Sequence, residues 1–372
     1  MWKYKLQSLI GIFCLVFGTA YAQSQISPPS GFMPMGSEKT GGIVDLALIY
    51  QGCIDRIDWT KEQFAPYLTW TNPDTQNEEW LFDGFLFLEY ESGFGYGFST
   101  GFGRSSKASQ QWYLDRIFEK DKSVHALDEV LGETIARLGQ PPIPRRVVLT
   151  LPDPILDTKN WGELDGREIS FDNTEDRIAA VKWFTDQLMS RWNEAGFKNL
   201  QLAGFYWMAE KIWDKSDEVL ANAVGDDIRS RGKRFYWIPY WNAAGSHVWQ
   251  ELGFDVAYIQ PNYFFKLDRP DDRVQVACDF GKNRGMGMEM EWNVRIFVDT
   301  ENFAPRMAVY LDVFEEAGVW ETAAVAHFMS IGEAMIALSQ TKNPELRKLY
   351  ERYCRILSRR QLAARSLFVQ KK

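Results

Sequence analysis

Apolar residues fall in eight short, nearly continuous runs, each followed by a stretch with apolar positions at helical spacing. Strands buried on both faces read this way, and the intervening helices supply the layer that covers them. The pattern predicts strands at Ile43–Gly52, Trp80–Glu91, Arg145–Pro154, Leu200–Glu210, Arg234–Asn242, Val256–Phe265, Gly287–Val294 and Ala323–Ser330. Helices are expected at Lys61–Trp70, over a long region from Lys107 to Leu138, and at Thr174–Ala195 and Ser216–Arg231. Further ones follow near His247–Leu252, at Arg273–Asn283 and Glu301–Ala317, and in a terminal helix reaching about Arg360. The run Asn173-Thr174-Glu175-Asp176 has a cap residue and first-turn acids, as a helix start requires. Eight strand–helix units close into one (β/α)8 barrel, an α/β fold over residues 43–372. No GxGxxG opens the helix after the first strand, which disfavours a dinucleotide-binding sheet.

The first residues change the picture at one end only. Lys3 and Lys5 precede an apolar core from Leu9 to Phe17 and a small-residue site at Ala20-Tyr21-Ala22. That is the pattern of a cleavable export signal over residues 1–22, with 23–42 as an N-terminal extension. The apolar run is too short to span a bilayer, and no later stretch is apolar enough. The expected location is therefore periplasmic or secreted. Net charge is −8, and −10 without Lys3 and Lys5. Such a balance argues against nucleic acid and anionic membranes as partners. Cys53, Cys278 and Cys354 would remain after cleavage, enough for at most one internal bridge. With only three histidines and no HExxH, nothing calls for a metal or another cofactor. The excess is aromatic: 15 Trp, 15 Tyr and 25 Phe, several of them at strand ends and in loops, where sugar rings stack. No signal sets the oligomeric state.

Barrel enzymes place their chemistry at the C-terminal ends of strands. Here those ends carry Glu89-Tyr90-Glu91, Asp153, Glu210, Tyr240-Trp241-Asn242, Gln260-Pro261-Asn262-Tyr263, Glu289-Met290-Glu291-Trp292 and His327. Cleavage of a sugar–sugar bond needs one protonated carboxyl and one ionised carboxylate flanking the glycosidic oxygen. Glu210 fits the acid, since apolar neighbours such as Trp207 and Met208 raise a carboxyl pKa. Glu291 fits the nucleophile. Glu289 shares its parity and therefore its face, which leaves the choice between the two open. Glu89 and Glu91 are candidates for substrate contact or, alternatively, for buried ion pairs. Tyr240, Trp241, Asn242, Gln260, Asn262, Tyr263 and Trp292 read as a binding belt of amides and rings suited to neutral sugars. Asn242 equally suits a cap and the tyrosines equally suit the core. His327 is a candidate ligand or a satisfied barrel histidine. The glycine-rich segment Ser92–Arg104 lacks a GK[ST] ending and reads either as an aromatic wall over the site or, equally, as a flexible surface loop. The basic stretch Arg347–Arg360 reads as a solvated helix face.

The strings GFYWMAE, FYWIPYWN, VAYIQPNYFF and EMEW resemble a bacterial family of glycosidase-like TIM barrels known as a domain of unknown function, type 4855. The likeness runs from strand one to strand eight and implies a barrel with a sugar-related role. Placement of Glu210 and Glu291 is also similar to that in retaining barrel glycosidases, where the acid/base ends strand four and the nucleophile strand seven. The Asn usual before the acid is Ala209 here. The expectation is an exported glycoside hydrolase that uses a two-carboxylate, retaining mechanism on a polysaccharide or oligosaccharide. Its rivals are a non-catalytic glycan-binding barrel and a metal-dependent hydrolase built on Glu89, Glu91, Asp153 and His327.

Overall fold

A computed structural model describes residues 31–329 and 333–369. The expected export signal and Ser330, the last residue of the expected eighth strand, lie outside the described residues. Eight parallel strands form a closed barrel in sequence order, the eighth pairing with the first. They span Asp45–Tyr50, Gly84–Leu88, Arg145–Leu151, Leu200–Trp207, Arg234–Trp237, Val256–Ile259, Gly287–Glu291 and Val325–Phe328. Every predicted strand is present, shorter than its apolar run because the run continues into the loop. No helix among the described residues is long and apolar enough to cross a membrane.

Helices form where the caps predict. Asn173 accepts from the Asp176 amide at the start of Thr174–Ala195, and Gly196 ends that helix at φ 60°. Asp214 caps Lys215–Ser230 by accepting from the Ser216 and Asp217 amides. The region from Lys107 to Leu138 is two helices, not one, at Lys107–Ile117 and Ser123–Leu138. Asp121 and Ser123 between them adopt positive φ, and the Ser123 amide bonds Trp59 instead of continuing the first helix. The segment near His247 reduces to a 3-10 turn, Ser246–Val248. Two small hairpins had no counterpart in the predicted elements: Thr69–Thr71 with Glu78–Trp80, and Gly162–Leu164 with Arg167–Ile169. The second turns on Asp165 and Gly166, at φ 53° and 76°. Asp-Gly is the favoured pair for such a turn.

The ladder between the third and fourth strands has a register shift. Between Val147 and Val148 the register on the fourth strand jumps from Leu202 to Gly204, so Ala203 is an extra, bulged residue. A Cβ on Gly204 would lie 1.9 Å from the Arg234 carbonyl oxygen, so only glycine fits this close approach of strands four and five.

The N-terminal mouth of the barrel is closed by the chain's own ends. Residues 32–44, mostly expected as an extension, run across this floor with Phe32, Met33 and Met35 buried. The Met33 amide donates to Met286 O and its carbonyl accepts from the Ala324 amide. From the other end, the helix Pro344–Val369 inserts Arg360, buried at 1% exposure, between strands one and eight. Its Nε lies 3.0 Å from both Asp45 oxygens, and its Nη2 donates to Ala323 O at 2.8 Å. Gln361 donates to Asp83, which also accepts from the Val44 and Asp45 amides. Burial and the neighbouring Asp45 push Asp83 up to about 6. The basic stretch read as a solvated face is thus solvated on one side only. Its Tyr353, Cys354, Leu357 and Arg360 are core residues. Cys53, Cys278 and Cys354 are buried and unbridged.

Candidate active site

At the opposite, C-terminal mouth lies a cleft of about 200 Å³. Strand seven contributes Glu289 and Glu291, the shared parity placing both on its inner face. Glu210 enters from just beyond the fourth strand, in a segment fixed by the Trp237 indole, which donates to Ala209 O at 2.7 Å. Tyr50, Tyr90, Tyr206, Phe265 and Phe328 form aromatic walls, and Gln260 and Asn262 supply amides. The Tyr50 and Tyr90 hydroxyls bond each other at 2.8 Å. Phe102, from the glycine-rich segment, stacks on Tyr90 at 5.0 Å and remains 42% exposed, so the aromatic surface continues outward from the cleft.

The three carboxyl groups have different surroundings. Glu291 accepts from the Tyr310 hydroxyl and from the backbone amides of Asn262 and Tyr263, the latter at 3.3 Å. Asn262 sits at φ 53°, a left-handed turn that lets successive amides converge on one anion. Burial raises Glu291, these donors oppose the rise, and the outcome is about 7. Glu210 is raised by burial, with a partly offsetting bond of 3.1 Å from Gln260 Nε2. Glu289 is 2% exposed and receives no hydrogen bond from any described residue. Burial, then the charges of Glu291 and Glu210, push it well above the usual carboxylate range. At neutral pH this cleft therefore holds protons on carboxyl groups, Glu289 above all, while the donors that stabilise an anion gather at Glu291.

Several predicted residues are occupied elsewhere. Both Glu89 oxygens engage Arg56, at 2.8 and 2.9 Å, and the Cys53 and Tyr90 amides also donate to this carboxylate. That is the ion-pair alternative, outside the cleft. Glu91 makes a bridge to Gly97 in the loop. Tyr240 pairs with Gln260 through backbone, Trp241 lies under the Arg273 guanidinium at 4.1 Å, and Asn242 is an exposed turn residue at φ 64°. None of these five lines the cleft. Trp292 is buried against Tyr353, and the Tyr263 ring lies under Arg306 at 3.5 Å, so only the Tyr263 amide reaches the site. His327 is held inside the barrel, Nε2 to Asp45 at 2.9 Å and Nδ1 to the Tyr353 hydroxyl at 2.7 Å. Burial lowers its pKa, so it stays neutral, accepting from Tyr353 and donating to Asp45. Asp153 accepts from Thr100 at 2.8 Å. The set Glu89, Glu91, Asp153 and His327 is thus dispersed. Among the described residues no cluster of His, Cys, Asp or Glu is arranged to hold a metal ion. Tyr50, Tyr90, Tyr206, Phe265, Phe328 and Tyr310 were missed, the last because it reaches the site from the apolar face of helix Thr300–Glu316 and not from a strand end.

A family model described as a domain of unknown function, DUF4855, matches residues 45–355, which spans the whole barrel. No curated protein matches the sequence. Among solved structures, a mutant tryptophan synthase alpha-subunit from the hyperthermophile Pyrococcus furiosus is similar over 88% of this chain and 99% of that one. Its identity is 9% and its TM-score 0.35, too distant to bear on the chemistry.

Proposed function

The chain belongs to the DUF4855 family, and from that starting point we propose that it is a glycoside hydrolase acting on an oligosaccharide or polysaccharide outside the cytoplasm. One observation carries the reading: Glu210 and Glu291, from the ends of strands four and seven, line a single aromatic-walled cleft. The two carboxyl groups differ in their surroundings: hydroxyl and backbone donors converge on Glu291, whereas Glu210 has one bond, from Gln260. Glu291 has three donors that stabilise its anion and attacks the anomeric carbon. Glu210, whose pKa burial raises, gives its proton to the departing glycosidic oxygen. In the second half of the cycle Glu210 takes a proton from water as that water displaces the sugar from Glu291. Bond-making at one carbon twice over retains its configuration. Tyr50, Tyr90 and Tyr206 exclude water and stack on the sugar.

Incubation with a panel of polysaccharides, followed by reducing-end detection and proton NMR of the first product, tests this directly. Released ends with retained anomeric configuration are expected. Binding without release of ends from any glycan overturns hydrolysis in favour of a glycan-binding barrel, and an inverted product overturns the nucleophilic role of Glu291.

Tyr310 gives a more discriminating test. Its hydroxyl bonds the ionised form of Glu291, so Tyr310→Phe raises the pKa of that group further above about 7. A hydrogen bond to a charged group contributes about 1.5–3 kcal/mol, or roughly one to two pH units. The ascending limb of kcat/KM should move to higher pH by that amount. Loss is largest below pH 7, and rate recovers on the alkaline side. A uniform fall at every pH would mean that Tyr310 only supports the fold.

A further inference from the structure

We propose that the cleft accepts a sugar residue carrying an ammonium group, an unacetylated amino sugar, and that Glu289 is the carboxylate that anchors it. This rests on the glycosidase reading for the ligand being a sugar, and on the cleft's own composition for its charge. Glu210, Glu289 and Glu291 converge on about 200 Å³, and among the described residues no lysine, arginine or histidine lines that space. Bond cleavage employs two of the three. The third, Glu289, is 2% exposed, faces the cleft and has no donor among the described residues, unlike Glu89 with Arg56 or Asp45 with Arg360. Every other carboxylate this deep in the barrel wall has a cation or backbone amides of its own. Glu289 lacks both, so its partner arrives with the ligand.

The rest of the lining agrees. A neutral sugar is recognised through amides and hydroxyls, and of the three expected amides only Gln260 and Asn262 line the cleft. Asn242 is elsewhere, and Gln260 already donates to Glu210 and to Ile238 O. Asn262 alone has a side-chain amide uncommitted to a described partner. The rest of the polar lining is carboxyl groups and the Tyr50, Tyr90 and Tyr206 hydroxyls, the first two bonded to each other, among rings that also include Phe265 and Phe328. Negative charge enclosed by aromatic faces is complementary to an ammonium group, through direct pairing and through the ring quadrupoles. An N-acetyl group removes the charge and adds bulk to a small space, so acetylated sugars are excluded. On binding, the ammonium replaces protons that the clustered carboxyl groups otherwise hold.

Titration calorimetry on the full chain at pH 7 tests the assignment with glucosamine, galactosamine and mannosamine. Each is compared with its N-acetyl form and with the corresponding neutral hexose, in two buffers of different ionisation enthalpy. At least one amine should bind about tenfold tighter than both counterparts, with net proton release. In Glu289→Gln that preference should fall to within about twofold. Equal or weaker binding of all three amines overturns the proposal without recourse to any variant. A preference that survives Glu289→Gln overturns Glu289 as the anchor. The two readings fail separately. Amine-selective binding without hydrolysis of any glycan upholds this assignment and removes the reaction. Hydrolysis of neutral glycans with no amine preference does the reverse.

Discussion

Glu291→Gln should lower kcat/KM by roughly a thousandfold or more while leaving the protein folded. The carboxylate is the group asked to attack the anomeric carbon, and a carboxamide of the same shape cannot form the glycosyl–enzyme bond. Structure should survive because the Tyr310 hydroxyl and the Asn262 and Tyr263 amides can still donate to the amide oxygen. Removing one of three crowded carboxyl groups also relieves repulsion, so unfolding in urea should show an unchanged or raised midpoint. The informative comparison is with Glu289→Gln on the same substrate. If Glu291 is the nucleophile, its variant is the more damaged in kcat, and Glu289→Gln is damaged chiefly in KM. A reversed order would transfer the attack to Glu289 and leave Glu291 as its neighbour.

Arg360→Ala should be the most destabilising single truncation at the barrel's N-terminal mouth, by about 3–5 kcal/mol, because it leaves a buried carboxylate without its cation. Asp45 is fully buried, and burial alone would raise its pKa. Arg360 and His327 outweigh that and hold it below the ordinary value of 3.8. A carboxyl with a depressed folded pKa contributes stability above its unfolded pKa and loses it as pH falls through the folded value. In Arg360→Ala the sign reverses: burial dominates, Asp45 is raised, and the folded state prefers it protonated. The deficit should therefore be greatest near pH 8 and shrink towards pH 4. Urea unfolding at those two pH values measures it. A deficit independent of pH would mean that Arg360 matters for packing and its carbonyl bonds, not for its charge. The cleft lies at the other mouth, so variant that is folded should bind ligand as the parent does.

The barrel was legible because eight buried strands leave continuous apolar runs, and no tertiary contact is needed to see them. Glu289 and Glu291 were legible for a related reason: a regular strand carries parity into the structure. The bulge at Ala203 was not, since nothing in Leu202-Ala203-Gly204 announces how its neighbours pair. Nor was the fate of the binding belt. Apolar runs overshoot their strands into loops, and beyond the last ladder bond parity no longer says where Tyr240, Trp241 or Asn242 points. Glu89 and His327 sit at strand ends as expected, but their partners, Arg56, Asp45 and Tyr353, come from other elements. A sequence shows a charged residue and not the residue that neutralises it. The hairpin at Asp165-Gly166 is different, since the turn dipeptide was present and was passed over.

The Asp45–Arg360 contact joins residues 315 positions apart, from the first strand to the last helix. Until Arg360 is in place Asp45 lacks its guanidinium, and the seam between the first and eighth strands has its ladder and the His327–Asp45 bond but not its ion pair. Full consolidation of the closed barrel therefore waits on nearly the whole polypeptide: a chain that stops short of residue 360 has every strand but should hold a weaker seam.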